Sequence, residues 1–274
     1  MIVSQIKKYL KKFIFNKNGD AFCAHFNFWN KIYWKYPVII SSEMHQNILF
    51  YVVSADNLKL YHPIKKRLYS YQKGIVSRLS KLASCYFIDK IPLEDGDNVI
   101  DCGANIGEVG MYFQIKGLRL KYYPIEPSIK EATACDLNNS IHSIKTSTTA
   151  LWKENTVLDF YVKEDSADSS LIEFENYRNK TTVNAVTLDE FCIKNNIDHI
   201  KWLKLEGEGA EPEILLGAHN ILKKIDYVSV DCGFERGKEK QQTFTQVLNQ
   251  LHSYEFELVD MNFGRVTCLF KKLK

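Results

Sequence analysis

Val99-Ile-Asp-Cys-Gly-Ala-Asn-Ile-Gly-Glu-Val-Gly110 is the stretch that decides the fold of this chain. An apolar strand runs into a turn built on Gly103, Ala104, Asn105 and Gly107, and a helix starts at about Glu108. Small residues let backbone approach a ligand closely at the carboxyl end of a strand. Asn105 stands where a G-x-G-x-x-G loop has its second glycine. Asparagine visits the left-handed region more readily than most residues, so the turn survives. A plain strand–helix turn has similar composition, and the neighbouring residues must choose between the two.

Charge narrows the ligand. A helix N-terminus favours an anion such as pyrophosphate. Here Asp101 ends the strand and Glu108 opens the helix. Two carboxylates oppose pyrophosphate, which argues against a nicotinamide-dependent dehydrogenase. They accept a ligand carrying positive charge, such as S-adenosylmethionine with its sulfonium and ammonium groups. The predicted cofactor contacts are therefore Asp101, Gly103, Ala104, Asn105 and Gly107. The next segment, Lys121-Tyr-Tyr-Pro-Ile-Glu-Pro-Ser128, is a second short strand ending in an acid. Glu126 lies roughly 20 residues beyond the loop, where an acid commonly holds ribose hydroxyls. The alternative for Glu126 is a helix-start carboxylate favoured by the dipole.

From residue 99 onward, strand and helix patterns alternate, which implies a parallel sheet covered on both faces. Strands are predicted over 98–102, 121–125, about 144–151, 157–162, 201–206, 226–231, 255–260 and 266–271. Helices are predicted over 107–117, 128–138, 187–195, 211–222 and 238–253. Only a short turn, Asn262 to Arg265, separates the last two strands, so they should be antiparallel. The expected fold is α/β: a Rossmann-like, mostly parallel seven-stranded sheet closed by a C-terminal antiparallel hairpin. A mixed α+β extension over residues 1–70 precedes this domain of residues 71–274.

The extension is basic. Residues 1–81 hold 14 Lys/Arg against 3 acids, and the remainder 22 against 30. This asymmetry suggests an anionic partner or surface. Residues 2–14 read as an amphipathic helix, with Ile2, Val3, Ile6, Leu10, Phe13 and Ile14 near one face and lysines elsewhere. Two readings stand: contact with an anionic membrane through residues 1–16, or packing on its own domain. The aromatic run Phe26 to Tyr36 suits core or interface. Its charge is too sparse for a nucleic-acid platform. Around Ala55-Asp56-Asn57 a strand pair is expected over 47–53 and 58–61, followed by a helix over 73–86. Hydrophobic content of 45% and charge of 25% are those of an ordinary globular chain. Seven scattered cysteines without a C-x-x-C pair read as reduced thiols, which predicts a cytoplasmic protein, with the inner membrane face as a further site of contact.

The candidate chemistry lies after two later strands. Glu206-Gly-Glu208-Gly-Ala-Glu211-Pro212-Glu213 follows the strand through Trp202. Pro212 suits a first helical turn, and Glu211 and Glu213 suit a helix N-terminus. Glu206 and Glu208 alternate with glycines at a strand end, where a carboxylate could take the proton of an acceptor hydroxyl. A divalent ion on hard oxygen ligands is the rival reading. The second cluster is Asp231-Cys-Gly-Phe-Glu235-Arg236-Gly237, in which Arg236 could orient Glu235 or clamp an anionic substrate. Glu206, Glu208, Asp231 and Glu235 are the candidate catalytic acids. No metal ligand set is assigned.

Together these segments resemble the FkbM-type methyltransferase family. The resemblance rests on Val99 to Glu108, Ile125-Glu-Pro127, Thr187-Leu-Asp189 and Leu203-Lys-Leu-Glu-Gly-Glu-Gly-Ala-Glu211, and spans roughly residues 70–271. It implies a class I, S-adenosylmethionine-dependent O-methyltransferase. Members often modify sugars, which implies a sugar hydroxyl as acceptor and a place in surface polysaccharide biosynthesis. Asp168-Ser-Ser170 and Asp231 to Gly237 look like a subgroup associated with bacterial glycans, and on that likeness Asp168 and Ser169 join the cofactor contacts. The family pattern commonly has Asp where this chain has Glu206, which places the carboxylate about one C–C bond further out. A non-catalytic methyltransferase-like subunit and methyl transfer to a non-sugar small molecule are the competing functions.

Overall fold

The computed structural model describes residues 12–141, 145–163, 169–175 and 177–273. The chain divides into two compact units, Met1–Leu79 and Ser80–Lys274. The division falls later than the expected border at residues 70/71. The 3-10 segment Lys65–Tyr71 buries Leu68 and Tyr71, and Val76 N donates to the Asp56 carboxylate at 2.9 Å. Both contacts tie the chain beyond residue 70 to the first unit.

In the first unit, helix α1 (Gly19–Trp29) is followed by a π-helical turn, Asn30–Trp34. Three antiparallel strands come next, β1 (Ile39–His45), β2 (Ile48–Ala55) and β3 (Leu58–His62), in the order β1-β2-β3. The expected pair is present as β2 and β3, and β1 is additional. Gln46-Asn47 and Asp56-Asn57 all have positive φ, the signature of tight type I′ hairpins. Phe22, Cys23 and Phe26 form the buried face of α1. Asn27 pairs with both backbone groups of Ile40, donating to its carbonyl at 2.7 Å and accepting from its N–H at 3.0 Å. One amide side chain thereby blunts an open sheet edge. Residues 12–15 are helical, and the rest of the predicted 2–14 helix lies outside the described residues.

The second unit begins within helix α2 (Ile75–Cys85) and continues β4 (Asn98–Cys102), α3 (Glu108–Lys116), β5 (Lys121–Ile125), α4 (Ile129–Asn138), β6 (Ala150–Leu151), β7 (Thr156–Val162), β8 (Asn179–Val186), α5 (Leu188–Lys194), β9 (Ile200–Leu205), α6 (Glu211–Leu216), β10 (Ile225–Asp231), α7 (Phe244–Ser253), β11 (Phe256–Asn262) and β12 (Thr267–Lys272). The main sheet has six strands in the order β11-β12-β10-β9-β4-β5. β10, β9, β4 and β5 are parallel, and β12 runs antiparallel between β10 and β11, forming the expected hairpin. The seventh strand expected at 144–151 is reduced to a bridge between Ser147 and Ile125. Pro124 accepts from Ser147 N at 2.9 Å but has no N–H to return, so the ladder stops at that edge. β6 instead joins a separate three-stranded sheet, β6-β8-β7. The helices expected at 211–222 and 238–253 are shorter: α6 stops at Gly217, and α7 starts after Thr243.

β9 is buried almost throughout, as a central parallel strand should be. Trp202 packs edge-on to Phe113 and donates to Ser229 Oγ at 2.9 Å. β4 has β5 on one side and β9 on the other, so the chain order reverses there. Ligands of open α/β sheets bind at such a switch point, outside the carboxyl ends of the strands. Among the described residues, no helix is long and apolar enough to cross a membrane. All seven cysteines are free.

Candidate active site

The loop after β4 is shaped by backbone. Gly103, Asn105 and Gly107 have φ of +75°, +50° and +78°. A Cβ on Gly103 would stand 2.1 Å from the carbonyl oxygen of Glu206, so only glycine can pass the end of β9 here. Gly103 N and Ala104 N both donate to Ile125 O at 3.0 Å. Asn138 and Asn139, at the end of α4, donate to the carbonyls of Ile106 (2.8 Å) and Gly107 (3.0 Å). Glu126 closes the loop from the next strand. Its Oε2 accepts from Asn105 N and its Oε1 from Ser128 N, both at 2.9 Å. Burial lifts its carboxyl to about 7 despite these two donors. Each oxygen keeps a further lone pair, so the group suits a vicinal diol. The donor set therefore fits the ribose of S-adenosylmethionine: Glu126 for the hydroxyls and the Gly103–Gly107 backbone for close approach.

Asp101 is engaged by its neighbours. It is fully buried, with Oδ1 2.8 Å from Lys204 Nζ and Oδ2 2.6 Å from the Tyr122 hydroxyl. Its charge is matched inside the sheet, and it braces the loop from beneath. Glu108 is half-buried in the first turn of α3.

The acids after β9 and β10 lie side by side because those strands are neighbours. Glu206 is 3.2 Å from Lys204 Nζ and 2.5 Å from Arg265 Nη2. Burial alone would raise its carboxyl, but the two cations outweigh burial and hold it at about 2. The paired cations thus favour the ionised form of Glu206 and make it a weak proton acceptor. Asp231 is 2.6 Å from Arg265 Nε and accepts from Gly233 N at 3.1 Å. Glu235 is different. Burial, reinforced by Asp231, Glu206 and Glu211, pushes its carboxyl up to about 8. Glu208 sits at φ +51°, and its carbonyl accepts from Ser170 Oγ at 2.9 Å. Glu211 is structural: Oε1 accepts from Gly207 N and Gly209 N at 2.8 and 3.1 Å, and Oε2 accepts from Thr243 at 3.1 Å. Arg236 does not orient Glu235. It grips Glu213 with two bonds of 2.7 and 2.8 Å. With Glu206 and Asp231 engaged by cations, a divalent ion would lack those two ligands. Among the described residues no group of three ligand-type side chains converges.

Two cations that organise the site, Lys204 and Arg265, escape the sequence argument. Lys204 could have been noticed: a lysine three residues from Lys201 in a short central strand must face the opposite side of the sheet, and one of the two must be buried and paired. Arg265 lies in the β11–β12 turn and carries no local sign of its partners. Thr187 and Asp189 prove local: Thr187 caps α5, and Asp189 accepts from the backbone of Asn220 and Ile221. Ser169 Oγ accepts from Lys163 N at 3.4 Å, within its own hairpin. Asp168 lies outside the described residues.

The chain matches the Methyltransferase FkbM domain over residues 101–258 and belongs to that family. It is a methyltransferase of that family. No curated protein matches it. Solved structures similar to this chain include a protein of the NADB-Rossmann superfamily from Streptococcus agalactiae, with 14% identity, a TM-score of 0.39, and coverage of 72% of this chain and 68% of that one. A SAM-dependent methyltransferase from Leishmania major shows 11% identity and a TM-score of 0.40, covering 73% of each chain. A Pyrococcus abyssi tRNA (uracil-54, C5)-methyltransferase in complex with S-adenosyl-L-homocysteine shows 12% identity and a TM-score of 0.39, covering 89% of this chain and 53% of that one. These likenesses are coarse, and the family match carries the assignment.

Proposed function

We propose that this chain transfers a methyl group to a hydroxyl of a sugar, in surface polysaccharide biosynthesis, with Glu235 as the general base. The observation that carries this reading is the separation of roles among neighbouring acids. Arg265 and Lys204 hold Glu206 ionised, burial and Glu206 push the Asp231 carboxyl up despite its Arg265 partner, and Glu235 is left poised near neutrality. Acid and base roles divide where environments push carboxyl groups apart in this way. A neutral hydroxyl is a poor nucleophile, and a carboxylate that binds a proton near working pH is the efficient acceptor for it. The remaining acids are acceptor-only groups, which suits an acceptor with several hydroxyls to orient. S-adenosylmethionine, when bound, supplies the electrophilic methyl group. Glu126 and the 103–107 loop hold it, Glu206 positions the acceptor with Arg265 held in place by Asp231, and Glu235 takes the hydroxyl proton.

The test is methyl incorporation into glycan acceptors, located by mass spectrometry after hydrolysis to monosaccharides. Glu235→Gln should lower kcat about 10²- to 10⁴-fold and leave cofactor affinity unchanged. In the wild type the rate should fall as pH drops below about 8, because the carboxylate form is the active one. Label on a non-sugar product, or full activity in Glu235→Gln, would overturn the reading.

A further inference from the structure

We infer that the outward face of α1 and its π-helical extension docks on an anionic lipid surface. α1 is apolar on both sides. Phe22, Cys23, Phe26 and Asn30 face inward and are buried. Opposite them, Ala21, Ala24, Phe28 and Ile32 recur at helical spacing on the outside. Phe28 is 58% exposed and Ile32 is 54% exposed. Phe13, 53% exposed, packs edge-on against His25 and extends this strip along the flank of the helix. A run of outward apolar side chains on one helix is a surface that water disfavours, unlike single scattered residues.

Charge identifies the occupant. Lys31 and Lys35 are exposed beside Ile32, and the Lys17 ammonium lies 5.0 Å from the centre of the Phe13 ring. They belong to a stretch, residues 1–81, with 14 basic residues against 3 acids. An apolar strip framed by lysines matches the boundary between acyl chains and anionic headgroups. A second copy of the same face would bring lysines against lysines. Nucleic acid needs denser cations than an aliphatic and aromatic strip offers. The docking face is built from described side chains and does not depend on residues 1–11.

The experiment is co-sedimentation of the full chain with vesicles of phosphatidylcholine alone or mixed equally with phosphatidylglycerol. Binding should require the anionic lipid and weaken as salt rises. Phe28→Ser with Ile32→Ser should weaken it about tenfold or more through lost apolar insertion. Lys31→Glu with Lys35→Glu should do so through charge. Both pairs are at exposed positions, and circular dichroism confirms that each variant folds. Equal binding to both vesicle types, no binding by the wild type, or unchanged binding by the Phe28/Ile32 variant overturns the inference. So does a concentration-dependent dimer that the same substitutions abolish, because a second copy would then cover the face.

Discussion

The two halves of the switch-point crevice hold their acids in opposite ways. On the β4–β5 side, Glu126 is held by backbone N–H groups from Asn105 and Ser128, and its carboxyl is raised to about 7. On the β9–β10 side, Glu206 is held by Lys204 and Arg265, and its carboxyl is lowered to about 2. Burial acts on both and pushes both upward. The partner decides the outcome: two neutral dipoles fall short of the desolvation cost, while two full charges exceed it. Glu126 is therefore suited to meet neutral hydroxyls, and Glu206 presents fixed negative charge. Lys204 joins them, since the same ammonium that meets Glu206 also donates to the carbonyl of Gly103 at 2.9 Å.

Removing the cation side should have the largest effect. Arg265→Met leaves Glu206 and Asp231 facing each other with one partner fewer. Losing one partner of a buried pair costs about 3–5 kcal/mol, and the partial exposure of Arg265 brings the expectation to about 2 kcal/mol. Thermal unfolding measures it, and a melting temperature equal to wild type would erase the contrast between the two sides. The same variant should raise the carboxyl of Glu206 and broaden the pH–rate profile, which a purely structural loss would not do. The backbone side breaks through geometry instead. Gly103→Ala places a Cβ against the Glu206 carbonyl at a φ where L-residues are strained. Cofactor affinity, measured by calorimetry, should fall about tenfold or more. An unchanged affinity would mean that the loop yields to the methyl group and does not shape the cofactor site.

This contrast also explains what could be read from sequence. The β4 loop and the place of Glu126 beside it are local: a strand, a few left-handed positions and an acid at a fixed offset. The alternation of strands and helices and the C-terminal hairpin follow from periodicity and turn length in the same way. The acid side was legible only as composition. Four candidate acids could be named, but their ranking depends on Lys204 and Arg265, and Arg265 meets Glu206 across 59 residues of chain. Asp101 shows the same limit. Its sequence neighbours suggest a free anion beside the loop, whereas Lys204, 103 residues away, matches its charge. The lost seventh strand turns on Pro124, a residue visible from the start, whose missing N–H matters only once its outward side is known. β1 ends at Gln46-Asn47, whose left-handed backbone shows in the structure and has no glycine to mark it in the sequence.

The smallest predicted effect separates the two sides in one titration. Glu126 and Glu211 have carboxyls near 7 in the folded chain against an ordinary value of 4.5. A group with a raised folded pKa takes up a proton more readily when folded. Its stabilising contribution is full below about 4.5 and is lost as pH rises through about 7. Between pH 8 and pH 6 each should add about 1 kcal/mol as pH falls, and the melting temperature should rise by about 2–4 °C per kcal/mol. Glu206 works the other way. Its lowered carboxyl contributes stability above 4.5 that disappears as pH falls towards about 2. The melting temperature should therefore peak on the acid side of neutrality and fall on both flanks. Glu211→Gln should make the alkaline flank shallower, because Glu126 still contributes, and leave the acid flank in place, while Arg265→Met should flatten the acid flank and leave the alkaline one. A melting temperature that is level or declining from pH 8 to pH 6 would mean that the backbone donors, not burial, dominate at Glu126 and Glu211, and the two sides of the crevice would then be electrostatically alike.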